Sequence, residues 1–189
     1  MSNPLPALNE RYTRTCFRLE TLQDYAGVSA EEQARVASWL RGQRRFGSLT
    51  DADGYLRRVA AHTLAGKRRS RVHVVTFPLT EYIRYELDAY RANVAVGEQV
   101  GIADAGDLDR ELGPDFWLFD ADSAHAEAVI MHYDPATAEV REFEHLDRTA
   151  HPDRIAELEG QAVIAQRSAR SLEAFVSELA EVETVGRAS

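Results

Sequence analysis

One cysteine, six histidines and several clusters of charged side chains are the residues of this chain whose types could do chemistry. Cys16 as a nucleophile would need its pKa depressed by a neighbouring histidine or a helix N-terminus. Neither is predicted beside it, so it reads as a small buried hydrophobe, and a single cysteine allows no intramolecular disulfide. His125, His132 and His145 flank a predicted hairpin, with Glu127 and Asp134 nearby. Zinc would need three or four such groups within ~2.0–2.2 Å of one point. The spacings of 7 and 13 residues match no standard site, and strand alternation puts His132 and Tyr133 on opposite faces. These histidines read as solvated or hairpin-lining. No metal, no cofactor and no catalytic residue is assigned.

The charged clusters divide into three. Lys67, Arg68 and Arg69, followed by Ser70 and Arg71, suit an anion, because guanidinium forks match phosphate oxygens. They suit equally a basic linker at a helix C-terminus, where the helix dipole favours cations. Asp115–Asp120 brackets four apolar residues, including Trp117, with carboxylates. This is a buried central strand with acidic ends, or a strand whose ends carry a binding site, as α/β sheets often do. The two aspartates lie ~17 Å apart along an extended strand and cannot act on one atom. Glu86 and Asn93 are one helical face apart and Glu98 opens a strand. Together they line a crevice, or serve as a cap and a surface carboxylate.

The elements that must position these residues follow from periodicity. Residues 1–14 read as a flexible, proline-containing arm and residues 15–66 as an N-terminal helical part. Within it Thr15–Asp24 is hard to assign, a short helix being one reading. Ser29 and Glu32 form a capping box for a helix that stops near Gly42, with Val36, Trp39 and Leu40 on one face. Arg41–Ser48 is a basic loop, and Thr50 with Asp53 caps a second helix that Gly66 ends. Residues 67–150 form a mixed α/β core. A strand begins at Arg71, Pro78 ends it, and Thr80 caps a helix; Glu98–Ala103 is a second strand, parallel to the first through a crossover. Phe116–Phe119 is a buried strand, and Val129–Tyr133 with Glu139–Phe143 a hairpin. Residues 151–189 carry one long helix, from Asp153 to about Glu183, packed on the core as part of one domain. The fold class is α/β with α+β character: N-terminal helices, a mixed sheet containing a strand–helix–strand unit and a hairpin, and a long C-terminal helix.

At 44% apolar residues the chain can bury a core, and 28% mixed-sign charge argues against wholesale disorder. No apolar run approaches the roughly 18 residues of a membrane helix, and the first ten residues show no leader-like apolar stretch. A cytoplasmic protein is expected. The net charge of −9 hides ten arginines and lysines against two aspartates between Arg35 and Arg71, which leaves −17 for the rest. That basic segment could meet an anionic partner, its own acidic face or another copy, which makes a homo-oligomer one expectation. No aromatic residues interleave the basic cluster, so direct nucleic-acid binding is not expected. Walker, dinucleotide, nucleophile-elbow and zincin motifs are absent.

Several pieces, in order, resemble an uncharacterised actinobacterial family, a domain of unknown function whose members often sit beside helix-turn-helix regulators. They are Phe17-Arg18-Leu19-Glu20 with Tyr25, Trp39-Leu40-Arg41-Gly42, Arg71-Val72-His73-Val74-Val75, Pro78-Leu79 with Tyr82, Asn93 before Gly97-Glu98, Asp115 to Asp120, and Met131-His132-Tyr133. The chain departs from the family at Gln99-Val100-Gly101-Ile102. The order of elements is also similar, at fold level only, to half of a phospholipase D-like fold, without its His-x-Lys pair. The resemblance implies a non-catalytic binding or regulatory module, acting with a helix-turn-helix regulator or a small-molecule ligand. The polar residues it selects are Glu20, Arg71, Glu86, Asn93, Glu98, Asp115, Trp117 and Asp120, as ligand contacts or as a buried ion-pair network such as Arg71 with Glu20 or Glu86. The alternatives are an enzyme on a phosphorylated or nucleotide-like substrate, which needs Arg68, Arg69 and Arg71 to converge with a carboxylate, and an oligomeric interaction protein.

Overall fold

Strand β2 (Arg68–Val75), helix α4 (Glu81–Ala95) and strand β3 (Gln99–Asp104) form the predicted parallel strand–helix–strand unit, in a computed structural model that describes residues 3–43 and 54–188. Thr80 caps α4 by accepting the Ile83 N–H. Gly97 turns the chain from α4 into β3 with φ +98°, and a Cβ there would stand 2.5 Å from Thr63 Cγ2. Only glycine meets both conditions. The sheet has seven strands in the order β6-β5-β4-β1-β2-β3-β7. β1 is Thr15–Glu20, β4 Phe116–Phe119, β5 Glu127–Tyr133, β6 Val140–Asp147 and β7 Arg170–Ser171. β1, β2 and β3 run parallel, and the other pairings are antiparallel. The fold is therefore mixed α/β, with six helices among the described residues.

Side-chain alternation gives the sheet two different faces. On one face Phe17, Leu19, Val72, Phe116, Leu118 and Ile130 pack against Ile155, Leu158, Ala162 and Ala165 of helix α5 (Pro152–Ser168). On the other face the register lines up Cys16 with Arg69 and Phe119, Arg18 with Arg71 and Trp117, and Glu20 with His73. Helices α1 (Leu5–Arg11), α3 (Gly54–Leu64), α4 and α6 (Leu172–Ala188) supply the residues packed on that side, among them Leu8, Tyr55, Tyr90 and Phe175.

Three expectations are corrected. The flexible arm is helix α1 with Leu8, Asn9 and Tyr12 buried; its prolines sit at the first turn, where no intrahelical N–H is lost. Thr15–Asp24 is no helix: its first six residues are β1, and the 15–66 segment thus supplies the strand at the centre of the sheet. Arg18 and Glu20 disguise it, because their charges face inward. The single C-terminal helix is two, broken at 169–171, where β7 adds antiparallel to β3. The Ser29-capped helix is α2 (Ala30–Leu40), but Leu40 is half exposed. Most of the basic loop 41–48, and the Thr50 and Asp53 caps, lie outside the described residues.

Candidate functional site

Arg71 sits at the centre of the polar face, its side chain only 4% exposed. Its Nε donates to Glu98 Oε1 at 3.0 Å, its Nη1 to Glu20 Oε2 at 3.0 Å, and its Nη2 to the Tyr55 hydroxyl at 2.6 Å and Glu98 Oε2 at 3.3 Å. Around this core, Asn93 Nδ2 donates to Glu98 at 2.7 Å, and Tyr90 donates to Glu20 at 3.0 Å while standing 2.9 Å from His73 Nδ1. His73 Nε2 donates to the Leu22 carbonyl. Each of the three Arg71 nitrogens is thus engaged, and two carboxylates compensate the buried cation. Burial pushes the Glu20 carboxyl up, but the Arg18 and Arg71 guanidinia outweigh it and hold its pKa at about 2. Burial likewise opposes ionisation of Glu98, and Arg71 with Asn93 reverses the effect, so its pKa is lowered.

A second layer is cationic and aromatic. Arg18 pairs with Glu20 Oε1 at 2.9 Å and lies over the Trp117 ring at 5.0 Å and the Tyr25 ring at 5.8 Å. Its Nε is buried without a hydrogen-bond partner. Arg69 is 2% exposed, donates to Asn9 Oδ1 of α1 at 2.8 Å, and faces the rings of Tyr12, Tyr55 and Trp117 at 5.4–5.8 Å. Its Nε and Nη2 have no hydrogen-bond partner; the ring faces take the place of one, as the cation–π geometry allows.

Above this floor opens a cavity of about 250 Å³. Arg18, Glu20 and Arg71 form its base; Tyr82, Glu86, Tyr90 and Asn93 of α4 form one wall; Ser29, Glu32 and Arg35 of α2 form another; Met131 and Tyr133 of β5 close it. The cavity is small beside the ~300–1,000 Å³ of sites for drug-sized ligands.

Six of the residues selected by sequence meet here: Glu20, Arg71, Asn93 and Glu98 in the network, Glu86 in the cavity wall, and Trp117 beneath Arg18 and Arg69. Asp115 lies behind them. It accepts from Thr21 N and Oγ1 and from the Tyr25 hydroxyl, and so anchors a cavity residue; burial pushes its pKa up. Asp120 is elsewhere, at the start of β1, where it accepts the backbone N–H groups of Thr13, Arg14 and Thr15; burial opposes ionisation but these bonds lower its pKa. The anion cluster does not hold together. Strand alternation turns Arg68 to the opposite face, beside Arg14 and Gln99, while Lys67 Nζ is tied to the Tyr12 carbonyl at 2.6 Å.

Arg18, Tyr25, Tyr55 and Tyr90 are not among the site residues selected by sequence, although Arg18 and Tyr25 stand in the pieces that carry the resemblance. The alternation Phe17-Arg18-Leu19-Glu20 was the available signal for Arg18, once read as a strand with one polar buried face. The tyrosines carry no signal of their own. Among the described residues no group of three His, Cys, Asp or Glu side chains could hold a metal ion. His132 and His145 pair instead with Glu144 and Glu127 on the hairpin surface. Burial pushes the Cys16 thiol up to about 12, which keeps it protonated and inert. No described helix is long and apolar enough to cross a membrane.

Residues 5–177 match DUF6879, a domain of unknown function, and the chain belongs to that family. No curated protein matches it.

Proposed function

Starting from membership of that domain family, we propose that the protein is a non-catalytic binding module that takes a small molecule into the cavity over the polar face of the sheet. One observation carries this reading: a network of buried, paired charges forms the floor of an open cavity. Such a network costs desolvation and contributes little net stability. It preorganises charged and aromatic groups, which is what a binding site needs. Its carboxylates are held ionised and fully bonded, so they serve poorly as proton donors or nucleophiles. Arg68 lies on the opposite face of the sheet, which removes the convergence that a phosphoryl-handling enzyme required.

We take the partner that reads the bound state to be a helix-turn-helix regulator; the support for that partner is the resemblance in sequence. Native mass spectrometry of the full chain, purified gently from its host, tests the binding role. The expected result is a mass increment of one small molecule, lost on denaturation and lost in Arg18→Leu. A protein that leaves the cell without any bound molecule, and that no metabolite fraction stabilises against heat, would overturn it. Co-purification of the regulator, stronger or weaker when that molecule is added back, tests the partner.

A further inference from the structure

The cavity has two walls of opposite character. On the floor, Arg18 makes one ion pair, to Glu20, and its Nε is a buried donor with no partner. Arg71 beside it has all three of its nitrogens engaged. Of the two arginines on the cavity floor, Arg18 is therefore the one with a nitrogen to spare. On the α2 wall, Ser29 accepts the Glu32 N–H as an N-cap should. A full capping box would return the Glu32 carboxylate to the Ser29 N–H. Here that carboxylate lines the cavity instead; Oε2 reaches Arg35 at 3.4 Å, and Oε1 is a buried acceptor without a partner. Glu32 on the α2 wall and Glu86 on the α4 wall both line the cavity.

Arg18 and Glu32 both line the cavity, and a buried orphan donor on one and a buried orphan acceptor on the other each cost free energy until something bonds them. Between them the lining is aromatic. The hydroxyls of Tyr25, Tyr55 and Tyr90 are engaged by Asp115, Glu98 and Glu20, so these residues offer the cavity chiefly ring carbon. A phosphorylated ligand does not suit this arrangement. A dianion on Arg18 would share the cavity with Glu20, Glu32 and Glu86, with like-charge repulsion in a partly dehydrated space.

We propose that the ligand is a small zwitterion of aromatic α-amino-acid type, its carboxylate on Arg18, its ammonium on Glu32, and its ring among Tyr25, Tyr82 and Tyr133. The proposal rests on the reading of this cavity as the binding site. Calorimetric titration of the full chain tests it, with L-phenylalanine, L-tyrosine and L-tryptophan beside their decarboxylated amines and their deaminated acids. The expected result is that one amino acid binds and that each of its singly charged analogues binds about tenfold more weakly or worse, the factor one lost charge-assisted hydrogen bond brings. Arg18→Gln weakens the amino acid and the acid but not the amine. Glu32→Gln, on an accessible helix and harmless to folding, weakens the amino acid and the amine but not the acid. Equal binding of acid and amino acid overturns the proposal, and so does a lack of binding by all three amino acids. In the latter case native mass spectrometry separates the two readings: a bound molecule of another class leaves the cavity as the site, and no bound molecule removes both.

Discussion

At the scale of single residues, the polar face of the sheet makes two demands that experiment can check. Replacing Arg71 with Met leaves the buried Glu98 carboxylate without its ion-pair partner and Glu20 with Arg18 alone. Breaking such a pair by removing one partner costs about 3–5 kcal/mol, so chemical denaturation of Arg71→Met should show a loss of that size. A loss below 1 kcal/mol would mean that water already screens the network. The second check is acid stability. The folded pKa of Glu20 lies below the ordinary glutamate value, so its contribution is complete above that value and disappears as pH falls toward about 2. It is worth roughly 3 kcal/mol at neutral pH. Asp115, whose pKa is raised, works in the opposite sense and gains as pH falls. Thermal melts of wild type and Glu20→Gln between pH 5 and pH 2 should converge, the variant starting lower and losing less. The sequence revealed this site in part. Carboxylates and arginines at Glu20, Arg71 and Glu98 could be picked out as a network. Which arginine keeps a free donor could not, because that depends on how Glu20 divides its two oxygens between Arg18 and Arg71.

At the scale of elements, the strands and helices with one-sided apolar patterns were legible: α2, α4, β3, β4 and the β5–β6 hairpin all lie where periodicity put them. β1 was not, since period-two patterning signals a strand only when one face is apolar and the other polar and exposed. In β1 both faces are inside. α2 stands apart from its neighbours in another way. None of its residues is fully buried, and it meets α4 through Trp39, whose Nε1 donates to Asp88 and whose ring lies 6.0 Å from Tyr85. Sparse burial means local opening at low free energy. Hydrogen exchange should therefore show α2 amides exchanging well before those of α4, and Trp39→Ala should hasten α2 alone. Ligand binding that leaves α2 exchange unchanged would argue against Glu32 as a contact.

At the scale of the whole molecule, the expected division between residues 15–66 and 67–150 does not describe how the sheet is assembled. β2 and β4 both take their inner neighbour from β1, and Arg68 N donates to the Arg14 carbonyl. A fragment of residues 67–189 would lose the middle strand and expose Leu118, Phe116 and Val72 on one face and Arg69 and Arg71 on the other. Circular dichroism and proton NMR of that fragment should show an unfolded chain; a cooperative melt would contradict the assignment of β1 to the centre. The charge count along the chain is equally misleading. Of the basic residues between Arg35 and Arg71, Arg69 and Arg71 are buried, Arg35 pairs with Glu31 and Glu32, and Arg58 pairs with Glu10. The surface is accordingly less basic there than the sequence suggests.

The position of β1 also bears on the chain as it is being made. The strand leaves the ribosome early, about 50 residues before β2 and about 100 before β4, so it waits unpaired while loops of that length close slowly. An unpaired apolar strand in that interval would be a template for aggregation. Arg18 and Glu20, the same charges later sealed beneath the cavity, would lower that hazard until Arg71 arrives, as gatekeeper charges do at other exposed strands.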